Sequence, residues 1–212
     1  MKFVKKLYIM TDFIRFFIPS YFLLFLLIAF LGISLKVARD IGKNPSVFPK
    51  DDSAYAFIGR YFKRTLLMLF IYTILIAWIP DQIRQSFTIN FLDVPGLRYV
   101  GITLMILALI WTITAQLQMK DSWRIGIDHE MKTTLVTRGL FKFSRNPIFL
   151  GMTVSLLGFL LLFPTLIAFL FLLVASILMQ IQIRLEEEYL LQQHGEIYEG
   201  YKKRVRRMLS LY

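Results

Sequence analysis

Five long apolar runs dominate the sequence and limit the folds that it can adopt. Their apolar residues are clustered rather than spread along amphipathic stripes, and a bilayer-spanning helix needs about 20 mostly apolar residues. Three of the runs are a little short for a full span, and only Pro164 separates the last two. The pattern predicts an all-α, polytopic membrane helical bundle with about five transmembrane helices and a C-terminal helical hairpin. The runs are Phe17–Leu35, Thr65–Ile79, Tyr99–Leu117, Pro147–Phe163 and Thr165–Ile183.

The composition excludes several other classes of protein. The chain of 212 residues is 57% hydrophobic, which excludes intrinsic disorder. It contains no cysteine, which excludes a disulfide scaffold, a cysteine nucleophile and a cysteine-ligated zinc site. No His and carboxylate spacing typical of a metal site is present, so we predict no metal.

The net charge of +11 comes mostly from the connections between the apolar runs and from the segment after the last run. Short basic loops stay in the cytoplasm, so we expect a cytoplasmic C-terminus and, in a bacterial cell, a location in the plasma (inner) membrane. Lys2, Lys5, Lys6 and Arg15 disagree with this orientation unless Phe3–Phe17 forms an interfacial amphipathic helix. We interpret the charge as contact with anionic headgroups rather than nucleic acid, because no aromatic and basic binding motif accompanies it.

Two polar segments lie next to the ends of the last two apolar runs. Asn146-Pro147 is a good N-cap followed by proline at the first helical position, and such a helix start attracts carboxylate or phosphate. On capping alone, a plain helix start is the preferred interpretation. At the end of the fifth run stand three carboxylates, Glu186 to Glu188, ahead of a probable helix break at Gly195. Arg184 can reach Glu187 or Glu188 along the helix. Spacing alone favours a salt-bridged helix end and a functional site equally.

Two motifs in this region match a known family. The first reads Leu135-Val136-Thr137, Gly139, Phe141, Phe143, Arg145-Asn146-Pro147, Phe149 and Gly151. The second reads Glu186-Glu187, Leu190, Gly195, Tyr198, Tyr201, Val205 and Arg207. In order, spacing and membrane context they resemble the isoprenylcysteine carboxyl methyltransferase and phospholipid methyltransferase superfamily of integral membrane enzymes. The resemblance covers about residues 120 to 207, and Ser122–Ile127 resembles the connector of bacterial members.

The resemblance implies S-adenosyl-L-methionine as the cofactor of a single methyltransferase domain. Residues 1–119 would supply N-terminal membrane helices, and residues 120–212 the cofactor-binding catalytic region with a cytoplasmic C-terminal helix. Asn146 and Phe149 stand where many members have His and Tyr, so neither an imidazole proton nor that tyrosine hydroxyl is available. The implied catalytic residues are Arg184, Glu187 and Arg207. The implied cofactor-binding residues are Val136, Gly139, Arg145, Asn146, Phe149, Glu186, Glu187, Tyr198 and Tyr201.

The acceptor is expected to be a lipid or a lipid-modified molecule that enters sideways between helices. The resemblance favours carboxyl O-methylation, with phospholipid amine N-methylation as the alternative; an ammonium acceptor would also need a base. An NADPH-dependent sterol-type reductase and a non-enzymatic membrane module are the rivals from other classes. The connection Asp40–Arg64 is interpreted as a surface loop, with shaping of the substrate entrance as the less favoured alternative.

Overall fold

A computed structural model describes residues 2–41, 52–120 and 134–209 of the chain. Within these ranges the elements are helices and short connections, with no β-strand beyond a single bridge between Thr88 and Thr165. The predicted all-α membrane bundle is confirmed. The helices are α1 Lys2–Phe25, α2 Ile33–Ile41, α3 Ala54–Ile76, α4 Asp81–Ser86, α5 Pro95–Met119, α6 Pro147–Leu162, α7 Leu166–His194 and α8 Glu196–Arg204.

Each predicted apolar run lies on a helix, but the helices differ in how well they suit a membrane. Three are long and apolar enough to cross one: Phe13–Asp40, Pro95–Met119 and Leu166–His194. Helix α6 is a shorter apolar helix. Helix α3 begins with a basic half and becomes continuously apolar only from Thr65 onwards. The five runs therefore become three full-length helices and two helices with shorter apolar stretches.

One expectation for the N-terminal half needs correction. Part of the predicted loop Asp40–Arg64 is helical, since α3 begins at Ala54, where the Ser53 side chain accepts a hydrogen bond from the Ala56 amide at 3.2 Å. The segment Phe3–Phe17 is helical and continues without a break to Phe25, and its interfacial position stays a prediction. The rest of that loop, residues 42–51, and the connector Ser122–Ile127 lie outside the described residues.

Close helix packing brings the two sequence motifs to one end of the bundle. Helix α5 packs along α6, α6 returns into α7 at Pro164, and α7 packs against α3. Backbones of α5 and α6 touch at Gly101 and Gly158: a Cβ atom on Gly101 would lie 2.6 Å from the Gly158 carbonyl oxygen. We call the end that holds Asn146 the site face, and the end that holds Pro164 the far face.

Helix α5 supports both the N-terminal helix and the first motif. Between α1 and α2 the helix widens into a π-helical segment, Leu26–Gly32. The Gln116 side chain donates to the Ala29 carbonyl oxygen of that segment at 2.7 Å, so it satisfies a backbone acceptor inside the bundle. Gln118 accepts a hydrogen bond from the Leu140 amide at 2.8 Å. Two glutamines two residues apart thus fix elements from opposite halves of the chain.

Candidate functional site

The site begins where α6 starts, at the site face. Asn146 occupies the N-cap position and Pro147 the first helical position, as predicted. The Asn146 side chain does not cap the helix, however. It donates instead to the Arg207 carbonyl oxygen at 3.1 Å and to Glu187 Oε1 at 3.3 Å. The side chain that sequence assigned to capping therefore joins the two motifs.

Glu187 is the centre of the arrangement. Arg145 donates to its Oε1 from Nε at 3.1 Å and from Nη2 at 2.9 Å. Arg207 donates to its Oε2 from Nε at 3.0 Å and from Nη2 at 2.8 Å. One carboxylate thus receives two forked guanidinium pairs, which are among the strongest hydrogen bonds that side chains form. We call Arg145, Asn146, Glu187 and Arg207 the polar cluster.

Arg145 also fixes the chain that follows α8. Its Nη1 donates to the carbonyl oxygens of Lys202 and Val205 at 3.0 and 2.9 Å. Its own amide donates to the Arg206 carbonyl oxygen at 3.1 Å. The loop before α6 is thereby attached to the last described segment of the chain, which delivers Arg207 to Glu187.

The polar cluster carries a net positive charge, because two guanidinium groups share one carboxylate. The side chains of Arg145 and Glu187 are 8% and 7% exposed, whereas that of Arg207 is 35% exposed. The hydrogen bond with Glu187 raises the pKa of the Arg207 guanidinium above its ordinary value, so this group stays charged. The cluster suits an anion that approaches from the exposed edge of Arg207.

Tyr198 and Tyr201 form a small core with Val205 on the same side of the molecule. They are 1% and 3% exposed, and the Tyr201 hydroxyl donates to the Phe141 carbonyl oxygen at 2.7 Å. Burial raises the pKa of both phenols above its ordinary value, so both stay neutral. Among the described residues, the buried Tyr198 hydroxyl has no hydrogen-bond partner. An unpaired buried hydroxyl is costly and calls for an explanation.

A second polar group lies beside the cluster, between α7 and α3. Gln182 donates from Nε2 to Glu186 Oε1 at 3.0 Å and to the Tyr55 hydroxyl oxygen at 2.8 Å. The Gln182 Oε1 atom is buried and has no partner among the described residues. Glu186 itself is half-buried. The adjacent glutamates therefore have different partners: Glu187 accepts from two arginines, and Glu186 accepts from the amide of Gln182.

The remaining predicted residues lie outside this arrangement. Arg184 is exposed and donates to the Gln180 carbonyl oxygen of its own helix at 2.7 Å, rather than to a glutamate. Phe149 packs against the main apolar core, and Val136 is half-buried in the extended segment before the first motif's turn. Gly139 has a positive φ of 63° and lies beneath the Gln118 side chain. A Cβ atom there would be both strained and obstructed.

Sequence reasoning missed three contributors to the site. Ser144 is fully buried, and its Oγ accepts a hydrogen bond from the Asn146 amide at 3.0 Å. Gln182 precedes Glu186 by four residues, a spacing that places both on one helical face and that could have identified the pair. Tyr55 carries no comparable signal, because its partner stands 127 residues away.

The comparison with protein families agrees with this geometry. The phospholipid methyltransferase family model matches residues 97–197, from the start of α5 to the start of α8. No curated protein matches the chain. That family is part of the superfamily of integral membrane methyltransferases that the two motifs resemble, so the predicted resemblance is confirmed. The family indicates a membrane methyltransferase with a lipid substrate, in a superfamily whose members generally use S-adenosylmethionine.

Among the described residues, no group of three or more His, Asp and Glu side chains is arranged to hold a metal ion.

Proposed function

We propose that the protein is an S-adenosylmethionine-dependent methyltransferase that methylates a lipid acceptor at the site face. The observation that supports this most strongly is the polar cluster. It unites the Arg-Asn-Pro start of α6 with the second glutamate of the Glu-Glu pair and with Arg207, and these come from both motifs.

The available donors and acceptors suit a ligand with an anionic and a cationic end. Arg207 and the unpaired amides at the start of α6 offer positive potential for a carboxylate. Glu186 and the unpartnered Gln182 Oε1 offer acceptors for an ammonium group or for hydroxyls. The buried Tyr198 hydroxyl adds a donor or acceptor. S-adenosylmethionine has this pairing of charges and, when bound, supplies the methyl group that the acceptor attacks.

Glu187 and Arg145 position the site rather than bind the ligand directly. Both Glu187 oxygens are already engaged by guanidinium groups, and Arg145 is buried. Their task is to hold Arg207, Asn146 and the chain after α8 at fixed places, since methyl transfer needs closely defined geometry. We assign the direct contacts to Arg207, Asn146 and Glu186.

A cleft between the helices supports a lipid acceptor. It is narrow and partly open, and the only polar side chains in its lining are those of Thr65 and Ser155. Met179 in the cleft precedes Glu187 by eight residues on α7, a rise of about 12 Å. A hydrocarbon chain in the cleft would therefore place its headgroup near the polar cluster. Lining residues come from α1, α3, α6 and α7 and include Phe22, Leu66, Leu69, Met152, Leu156 and Met179.

Two acceptor chemistries compete at this site. The net positive charge of the polar cluster favours a carboxylate, which is already nucleophilic, so carboxyl O-methylation remains our first proposal. The family match favours a phospholipid amine, which must lose a proton before it reacts. Glu186 is the carboxylate suited to take that proton, because Glu187 is occupied by its two arginines.

Transfer of a radiolabelled methyl group distinguishes these outcomes. The purified protein is incubated with labelled S-adenosylmethionine and a membrane lipid extract, and the labelled lipid is then treated with alkali. A methyl ester releases its label as volatile methanol, whereas an N-methyl group retains it. Labelling that exceeds a Glu187→Gln control supports the methyltransferase; no labelling of any lipid contradicts it.

Calorimetric titration in detergent separates the enzyme from its rivals. We expect binding of S-adenosylhomocysteine and none of NADPH. Tight NADPH binding without S-adenosylhomocysteine binding would indicate a sterol-type reductase. Binding of neither would favour a non-enzymatic membrane module.

A further inference from the structure

The far face carries a second surface, rich in exposed apolar side chains, which the proposed function does not use. It consists of residues 78–94, between α3 and α5, and we call it the far cap. Its large apolar side chains are exposed to an unusual degree: Trp78 is 82% and Phe91 79% exposed, and Ile83, Phe87 and Val94 are about half exposed. Such a concentration of exposed apolar side chains marks an interaction surface.

The far cap binds the α6–α7 turn through backbone hydrogen bonds. The Ile89 amide donates to the Pro164 carbonyl oxygen at 2.8 Å, and the Leu166 amide donates to the Phe87 carbonyl oxygen at 2.9 Å. The Thr165 hydroxyl is bonded to the Tyr72 hydroxyl at 2.8 Å and accepts from the Ala168 amide at 3.2 Å. The polar groups of the turn are thus paired within the protein, as a turn surrounded by lipid requires.

The helix lengths also place this turn inside the membrane. Helix α6 has 16 residues, which rise about 24 Å. The apolar part of α7, residues 166–183, rises about 27 Å. Both values fall short of the hydrocarbon core of a bilayer, about 30 Å. With the start of α6 at one surface, the Pro164 turn ends before it reaches water at the other. Helix α7 is longer and continues beyond Ile183 to the polar cluster.

Three charged side chains at the far face have partners within the protein, which suits a position near the membrane interface. Asp93 and Arg98 neutralise each other in an ion pair of 2.5 Å. The Arg84 guanidinium lies over the Phe163 ring, 5.8 Å from its centroid. A long side chain with an aromatic partner keeps its charged head near the interface while its stem lies among apolar groups.

We infer that the far cap is inserted into the far leaflet, where Trp78, Ile83, Phe87, Phe91 and Val94 contact lipid and cover a hairpin that is too short to reach water. This surface goes beyond the proposed methyltransferase site and does not depend on it. The partner is the lipid itself, in the region where acyl chains meet headgroups. Tryptophan is enriched at membrane interfaces, and both tryptophan and phenylalanine occur on the apolar faces of interfacial anchors.

Spin labelling of single cysteines tests the inference directly, because the natural chain has no cysteine. Phe91→Cys and Trp78→Cys carry the label in full-length protein, reconstituted in phosphatidylcholine and phosphatidylglycerol vesicles. Leu67→Cys, on the exposed apolar side of α3, is the lipid reference, and Lys202→Cys, on exposed α8, is the aqueous reference. The measurement is relaxation of the label by oxygen, which enters lipid, and by a nickel chelate, which stays in water.

We expect the ratio of oxygen to nickel accessibility at positions 78 and 91 to be several-fold above that of Lys202→Cys and close to that of Leu67→Cys. A ratio like that of Lys202→Cys places the far cap in water and overturns the inference. Protection from both reagents also overturns it, since it indicates cover by another protein or by a second copy of the chain.

An independent variant tests whether water can reach the turn. Ile89→Pro removes the amide that binds Pro164, at a residue whose φ of −84° is close to the value that proline fixes. In lipid no water replaces the lost bond, so the thermal midpoint in vesicles should fall by several degrees relative to Ile89→Ala. Equal midpoints would contradict a submerged turn.

Discussion

The two faces of the bundle are stabilised by opposite means. At the site face, side chains from distant parts of the chain meet, and charges pair with charges around Glu187. At the far face, backbone pairs with backbone, and large apolar side chains are exposed beside short stretches of polar ones. The excess positive charge of its cluster supports the proposal that the site face binds an anionic group. The far face has no such excess at its Asp93–Arg98 pair and is suited to lipid.

Removal of Glu187 should break the site face most severely. Glu187→Ala leaves Arg145 buried next to Arg207 without a carboxylate, so the free energy of unfolding should fall by about 3 kcal/mol. This is the lower end of the range for a broken buried ion pair, because Arg207 is partly exposed. Methyl transfer should be lost. Thermal unfolding in detergent and the labelling assay measure both effects. Glu188→Gln, at an exposed neighbour on the same helix, is the control; equal behaviour of the two variants would remove Glu187 from the centre of the site.

Loss of the Thr165 hydroxyl should weaken the far face while leaving the chemistry intact. Thr165→Val keeps the shape but deprives Tyr72 of its partner and the first turn of α7 of its cap. Stability should fall by about 2 kcal/mol, from one buried hydrogen bond and one cap. Methyl transfer per folded molecule should be unchanged. A fall in turnover without a fall in stability would show that the two faces are not separable.

Variants of the two tyrosines of α8 should separate an effect on stability from an effect on ligand binding. Tyr201→Phe loses the bond to Phe141 and should cost about 1 kcal/mol. Tyr198→Phe loses no partner among the described residues, so its stability should be unchanged or slightly higher, whereas its affinity for S-adenosylhomocysteine should fall. Unfolding and titration on both variants provide the comparison. Unaltered affinity in Tyr198→Phe would leave the buried hydroxyl without a functional explanation.

The smallest effect is expected from Arg184, which sequence placed among the catalytic residues. It is exposed and bonded to its own helix at Gln180, so Arg184→Ala should change stability by less than about 0.5 kcal/mol. Arg207→Ala, its matched partner within the polar cluster, should reduce methyl transfer strongly. If Arg184→Ala reduces transfer as much as Arg207→Ala does, Arg184 acts on the acceptor from outside the cluster.

The sequence predicted best what depends on local pattern. The apolar runs, the start of α6 at Pro147 and the break at Gly195, which has a φ of 52°, follow from periodicity and from the conformational preferences of proline and glycine. The site was harder to predict, because Arg145 and Glu187 are 42 residues apart and their pairing depends on how α6 and α7 pack. Spacing along α7 instead predicted a pair between Arg184 and a glutamate, which does not form.

The tertiary arrangement also overrode a local preference at Asn146. Its side chain was expected to satisfy the first amides of α6, as asparagine does at many helix starts. Glu187 and Arg207 offer it stronger partners, and Ser144 binds its own amide. The choice between capping and bridging depends on groups delivered by a segment about 60 residues later, which no local window contains.

The two glutamines at the end of α5 connect the proposed lipid cleft with the first motif, so they would couple the two thermodynamically. Gln116 binds the π-helical segment that follows Phe25, a residue of the lipid cleft, and Gln118 binds the turn at Gly139 in the first motif. A lipid that tightened α1 against α5 would also strengthen the support of that turn, and a ligand that ordered the turn would favour lipid binding by the same free energy. Binding of the substrate would then increase the affinity for the cofactor, and the reverse, through α5 and without direct contact between the two ligands.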